Sequence, residues 1–191
     1  MGVAPSVERK AAMLAQTDIV ANLAAVRDRV DRACVEVGRD RAEVSVLLAT
    51  KTVSADRIRV ALAEGYRLIG ENRVQELIEK DAGLAGQPCV RHFIGHLQSN
   101  KVNQVLRYVS CVQSVDRIGL ADRLQRRLDA LDTSVEVLLQ VNTSAEASKF
   151  GVSPAEAVSL SREVAKRDRL RIRGLMTIGL LAPDPVPVQA S

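Results

Sequence analysis

Six short apolar segments alternate with helix-patterned segments along this chain, and that rhythm restricts its fold more than any other feature. The segments are VSVLLAT (44–50), RLIGE (67–71), RHFIGH (91–96), CVQSV (111–115), SVEVLLQVN (134–142) and RIRGLMTIG (171–179). The first is almost wholly apolar and β-branched at its start, which suits a strand buried on both faces. Helices are expected before and between them. Over 17–38, Ile19, Leu23, Val26, Val30, Ala33 and Val37 recur at helical spacing and Gly38 supplies the stop. Further helices are expected from Ser54 to about Glu64, over 72–82, over 100–109 behind Ser99, and from a cap at Asp116 to about Leu131. Ser153-Pro154-Ala155-Glu156 has the form of a capping box with proline at the first helical position.

Repeated strand–helix alternation requires parallel strands joined by crossover helices. An open dinucleotide-binding sheet would carry a glycine-rich turn after its first strand, and ATKTVSAD (49–56) contains no glycine. The expected class is therefore α/β, a (β/α)8 TIM-barrel type. Strand starts recur about every 25 residues, so eight units would need roughly 240. The 191 residues hold about six of the eight. The expected organisation is a polar N-terminal segment (1–16), a barrel domain (17–181) and a Pro-rich tail (182–191).

Composition removes several function classes. Hydrophobic residues make up 47% of the chain, enough for a sizeable core. Aromatics make up only 2%, which argues against a reader of single-stranded nucleic acid by base stacking. The net charge of +4 is spread over mixed-sign segments, so no nucleic-acid partner is expected. Cys34, Cys89 and Cys111 form no disulfide or zinc pattern, which points to a reducing cytoplasm. The least polar stretch, 174–182, is too short to span a bilayer, so no membrane role is expected. MGVAPS fits a myristoylation pattern through Gly2 and Ser6, a match short enough to arise by chance.

In parallel α/β folds, ligands bind at the carboxyl ends of the strands. That rule selects Lys51, Glu71 with Asn72, His96, Gln113, Asn142, and Met176 with Thr177. Lysine is scarce, six against 21 arginines, and Lys51 ends an apolar strand. Desolvation there would favour the neutral amine, a nucleophile toward aldehydes. Position alone favours the other reading, a lysine reaching out to solvent. His92 and His96 stand four apart, but on a strand, with no acidic or thiol residue to complete a metal triad. In the polar loop NTSAEASKFG (142–151), Lys149 and the hydroxyls either approach a phosphate or shape the turn.

LLATKT (47–52), GENRVQE (70–76), HFIGHLQSNK (92–101), SVD (114–116), LLQVNTS with SKFG (138–151) and RGLMTIG (173–179) together resemble the pyridoxal phosphate homeostasis protein family. That family resembles the alanine racemase N-terminal barrel, and the match runs in order from about residue 17 to about residue 182. The resemblance implies that Lys51 holds pyridoxal 5′-phosphate as a Schiff base and that Asn72, His92, Asn142 and Met176 line the cofactor. Lys149 matches a second family lysine, expected to accept the aldehyde during transfer to other enzymes. The implied role is intracellular cofactor homeostasis without turnover, with apo-enzymes as recipients and a monomeric, cytoplasmic protein. A racemase or decarboxylase acting on amino acids is the alternative, though a racemase needs a second acid/base across the ring. An interaction module built on the basic helices is a third.

Two departures stand out. Arg91 occupies a position where the family has Trp. The Ser/Gly-rich and Arg-Ile-Gly segments that make strands seven and eight in the family are replaced here by APDPVPVQAS (182–191). The expectation is a C-terminally incomplete barrel with a weakened phosphate anchor and unpaired sheet edges open to association.

Overall fold

The computed structural model describes residues 7–146 and 148–180, with side chains from Asp18 onward. The hexapeptide containing Gly2 and the Pro-rich tail 182–191 lie outside these residues. Twelve main elements follow in order: α1 (Val7–Glu36), β1 (Leu47–Ala49), α2 (Ala55–Ala63), β2 (Leu68–Glu71), α3 (Val74–Asp81), β3 (Val90–Phe93), α4 (Val102–Val105), β4 (Cys111–Val115), α5 (Ile118–Leu131), β5 (Val135–Gln140), α6 (Pro154–Val164) and β6 (Leu170–Met176). The six strands form one parallel sheet in the order β1-β2-β3-β4-β5-β6. A doubly wound sheet reverses direction at a switch point. This sheet never does, and each crossover advances the chain by one strand, the winding of a barrel.

The helices account for the burial. In α5, Leu120, Ala121, Leu124 and Leu128 fall on one stripe, and all are buried. They meet Phe93, Val112, Val137 and Leu139 from the strands, together with Leu160 and Val164 of α6. A smaller cluster joins Ile58 and Leu62 of α2 to Ile69 and Leu84, with Leu48 packed against it. In the α6 cap, the Glu156 carboxylate accepts from the Ser153 backbone N–H at 3.1 Å and from its hydroxyl at 2.6 Å. No helix among the described residues is long and apolar enough to cross a membrane.

Several expected boundaries move. α1 begins at Val7, ten residues before the periodic stretch, so most of the expected polar segment is helical. The helix expected over 100–109 is a 3₁₀ turn (Ser99–Lys101) and a single α-turn, α4. Val102 and Val105 are buried there, and the chain turns into β4 before a second helical turn can form. Asp116 does not cap α5: Arg117 holds that position, and Asp116 instead accepts from the Arg117 guanidinium at 2.6 Å.

Candidate functional site

Strand register assembles the site. Ala49, Gly70, His92, Cys111, Glu136 and Arg171 are successive partners across all six strands and share one sheet face. Their chain neighbours Leu48, Ile69, Phe93, Val112 and Val137 pack in the helix-covered clusters on the other face. Lys51 lies in the turn that follows β1, and Asn72 directly follows β2, the neighbouring strand. Parallel neighbours lie about 4.8 Å apart, so the carboxyl ends of β1 and β2 open onto one small region.

Lys51 is exposed, the reading that position alone favours over a desolvated amine. It stands in a turn beyond the strand, where water reaches it. No hydrogen bond or ion pair engages it among the described residues. Asn72 differs: its Oδ1 is buried and lacks a partner. A buried unmet acceptor costs about 1–3 kcal/mol, which a ligand donor would recover. The Asn72 backbone is pinned by Gly95, where an added Cβ would lie 2.2 Å from the Asn72 carbonyl oxygen.

On the row below, the Gln113 amide lies 2.7 Å from His92 Nδ1. An amide NH2 only donates, so Nδ1 accepts and the ring proton sits on Nε2. Burial pushes the His92 pKa down, keeping the ring neutral. Burial also pushes the Cys111 thiol up to about 12, which leaves it protonated and unreactive.

Beneath Lys51 lies a cluster that strand-end reasoning did not assemble. The Lys80 ammonium donates to the Thr50 carbonyl, Glu71 Oε1 and Glu76 Oε2, each at 2.7 Å. Glu71 Oε1 also accepts the Thr50 hydroxyl at 2.6 Å, and Glu76 Oε2 accepts the Thr52 backbone N–H at 2.6 Å. The side chains are nearly closed to solvent: Lys80 11% exposed, Glu71 3% and Glu76 13%. The hydrogen bond from Lys80 holds the Glu76 carboxyl below the ordinary carboxylate range. Thr52 has φ +62°, a left-handed conformation costing a β-branched residue about 1–2 kcal/mol. The Glu76–Lys80 spacing on a helix was readable, and Glu71 is a strand-end residue. Their convergence on Thr50 and Thr52 was not.

Asn142, Met176 and Lys149 gather three strands away. The Asn142 amide donates to the Glu146 carbonyl at 2.9 Å and the Lys149 carbonyl at 3.3 Å, closing the loop after β5. Gly151, at φ +120°, lets that loop return: a Cβ there would lie 2.7 Å from the Asn142 nitrogen. The Lys149 ammonium binds Glu146 at 2.7 Å and the Gly179 carbonyl at 2.8 Å. Met176 is half-buried and its carbonyl accepts from Val141 at 2.9 Å. Between the two groups, His96 stacks on Phe150 with ring centroids 3.7 Å apart, and Asp116 lies 3.6 Å from its Nδ1. Thus Lys51, Asn72 and His92 stand on adjacent strands, whereas Asn142, Met176 and Lys149 form a second cluster. Among the described residues, no group of three His, Cys, Asp or Glu side chains is arranged to hold a metal.

Residues 21–190 match the alanine racemase N-terminal domain family. The chain is 41% identical over 173 residues to the pyridoxal phosphate homeostasis protein of Pseudomonas aeruginosa, covering 91% of this chain and 74% of that protein. Among solved structures, an unknown protein from Bifidobacterium adolescentis superposes with a TM-score of 0.86 at 35% identity, covering 98% of this chain and 78% of that one. PipY of Synechococcus elongatus, solved with pyridoxal phosphate bound, superposes with a TM-score of 0.72 at 32% identity, covering 90% and 76%.

Proposed function

Because the chain belongs to the pyridoxal phosphate homeostasis protein family, we propose that it binds pyridoxal 5′-phosphate at the carboxyl ends of β1–β3, with the Lys51 amine as the point of attachment. One observation carries this reading: an unengaged amine follows β1, and a buried, unpartnered acceptor follows the neighbouring strand β2. The cofactor supplies an aldehyde carbon, to which a neutral amine adds with loss of one water to form a C=N bond.

The protein's part is binding and orientation. Asn72 offers its buried Oδ1 to a donor on the ligand. His92, neutral and tied to Gln113, supplies a fixed dipole rather than a mobile proton. Asn142 and Met176 act on the cofactor through the shape of the far rim. The reading is of a carrier, not an enzyme, serving apo-enzymes in the cytoplasm as a monomer. The relatives' names support the homeostasis role, and three free cysteines suit a reducing compartment. Lys149 remains the proposed acceptor during transfer, and to act it must release both Glu146 and the Gly179 carbonyl.

Incubation with pyridoxal phosphate, borohydride reduction and peptide mapping test the attachment point. A single adduct on Lys51 is expected; its absence would overturn the reading. Amino-acid turnover by the loaded protein would replace the carrier with an enzyme of racemase or decarboxylase type. For Lys149, the expected result is a several-fold slower handover to an apo-enzyme by Lys149→Ala at unchanged loading, and an unchanged handover rate would remove it from the pathway.

A further inference from the structure

We propose that the buried cluster of Lys80, Glu71 and Glu76 is the positioning device for Lys51, gripping the main chain on both sides of that residue. The inference rests on Lys51 being the point of cofactor attachment. Lys80 spends all three ammonium donors, one of them on the carbonyl of Thr50. Glu76 takes the N–H of Thr52 with the same oxygen that meets Lys80. The peptide units entering and leaving Lys51 are therefore both tied to one ionic cluster. Through the Thr50 hydroxyl, Glu71 ties β1 to β2 at the same level.

Two independent features point to position rather than stability as the reason for this arrangement. A buried ion cluster contributes little that a well-packed apolar group would not, because desolvation consumes most of its Coulombic gain. The strained residue of the site, Thr52, is the one whose N–H the cluster holds. Strain persists only where the surroundings over-determine it, and here they do so one residue from the reactive amine. The cluster bonds to Thr50 and Thr52 and not to the Lys51 amine, so it fixes the direction of the lysine stem without neutralising its head. Lys80, Glu71 and Glu76 are positioning residues; none of them needs to touch the ligand.

The test uses the full chain and the variants Glu76→Gln and Lys80→Met, with pyridoxal phosphate as the probe. Imine growth is followed by absorbance, the adduct is mapped after borohydride reduction, and acetylation of Lys51 is compared with that of exposed Lys166. The expected result is roughly tenfold slower imine formation at Lys51 in Glu76→Gln, with Lys166 acetylated at the original rate. Lys80→Met leaves two carboxylates without their cation, so hydrogen exchange on the unaltered protein supplies a readout independent of its folding. There the Thr52 amide is expected to be protected although it lies outside any helix or strand. A folded Glu76→Gln with unchanged Lys51 kinetics, or a Thr52 amide exchanging like a free one, overturns the inference. An unaltered chain that gives no Lys51 adduct overturns the attachment reading, and this inference with it.

Discussion

Gly95→Ala is expected to cost roughly 3 kcal/mol of folding free energy and to weaken pyridoxal phosphate binding at least about tenfold. A methyl group at position 95 would meet the Asn72 carbonyl oxygen at 2.2 Å and its carbonyl carbon and Cα at 2.7 Å. All three atoms are backbone, so no side chain can swing aside to relieve the contact. The loop after β3 must move away from the loop after β2, and Asn72 moves with it. Stability and ligand affinity should therefore fall together. For a chain of this size the midpoint of thermal unfolding should drop by about 6–12 °C. The same substitution at Gly119 is the control. Nothing lies within 4 Å of a Cβ there, and the position is helical, so alanine should be neutral or stabilise by about 0.5–1 kcal/mol. Circular dichroism melts and cofactor titrations check both. A Gly95→Ala protein melting within about 2 °C of the original would show that the two loops do not depend on this close approach.

Gly95 also marks where sequence reading stops. The strands were legible because buried parallel strands are short apolar runs, and CVQSV became β4 without a shift at either end. Helix α6 was legible because its cap is local, whereas the cap expected at Asp116 for α5 was not the one the chain uses. α4 was not, since tertiary burial of Val102 and Val105 shortened a segment whose propensity allowed a longer helix. At the candidate site, the rule that ligands meet the carboxyl ends of strands selects Lys51 and Asn72 but does not describe the surroundings of Lys51. An apolar strand says nothing about the solvent beyond its last residue. The contacts that shape the site join Thr50 to Glu71 and Lys80, and Gly95 to Asn72, across 20 to 30 residues. Register alone creates such contacts, and a one-residue slip of β1 against β2 would abolish those of Thr50.

Phe93→Ala should destabilise the chain by about 3–5 kcal/mol, a large part of the 5–15 kcal/mol typical of a whole domain. Phe93 is 1% exposed and heads the fully buried side chains by volume. It belongs to the larger cluster, beneath β3–β6, where α3, α4, α5 and α6 all contribute. Leu62→Ala removes a side chain equally sealed from water, but from a cluster of only four buried residues beneath β1 and β2. Its nominal cost is about 2–5 kcal/mol, yet the consequence should differ in kind. A small cluster at one edge of an open sheet can open while the rest stays folded. Phe93→Ala should therefore lower the midpoint by about 10 °C and speed exchange at every core amide. Leu62→Ala should instead speed exchange chiefly in β1, α2 and β2, with a smaller shift of the main transition. Because Lys51 follows β1, the proposed attachment predicts that this local opening also loosens cofactor binding before the protein unfolds. Uniform acceleration of every amide by Leu62→Ala, with a midpoint shift equal to that of Phe93→Ala, would mean that the two clusters are one cooperative core.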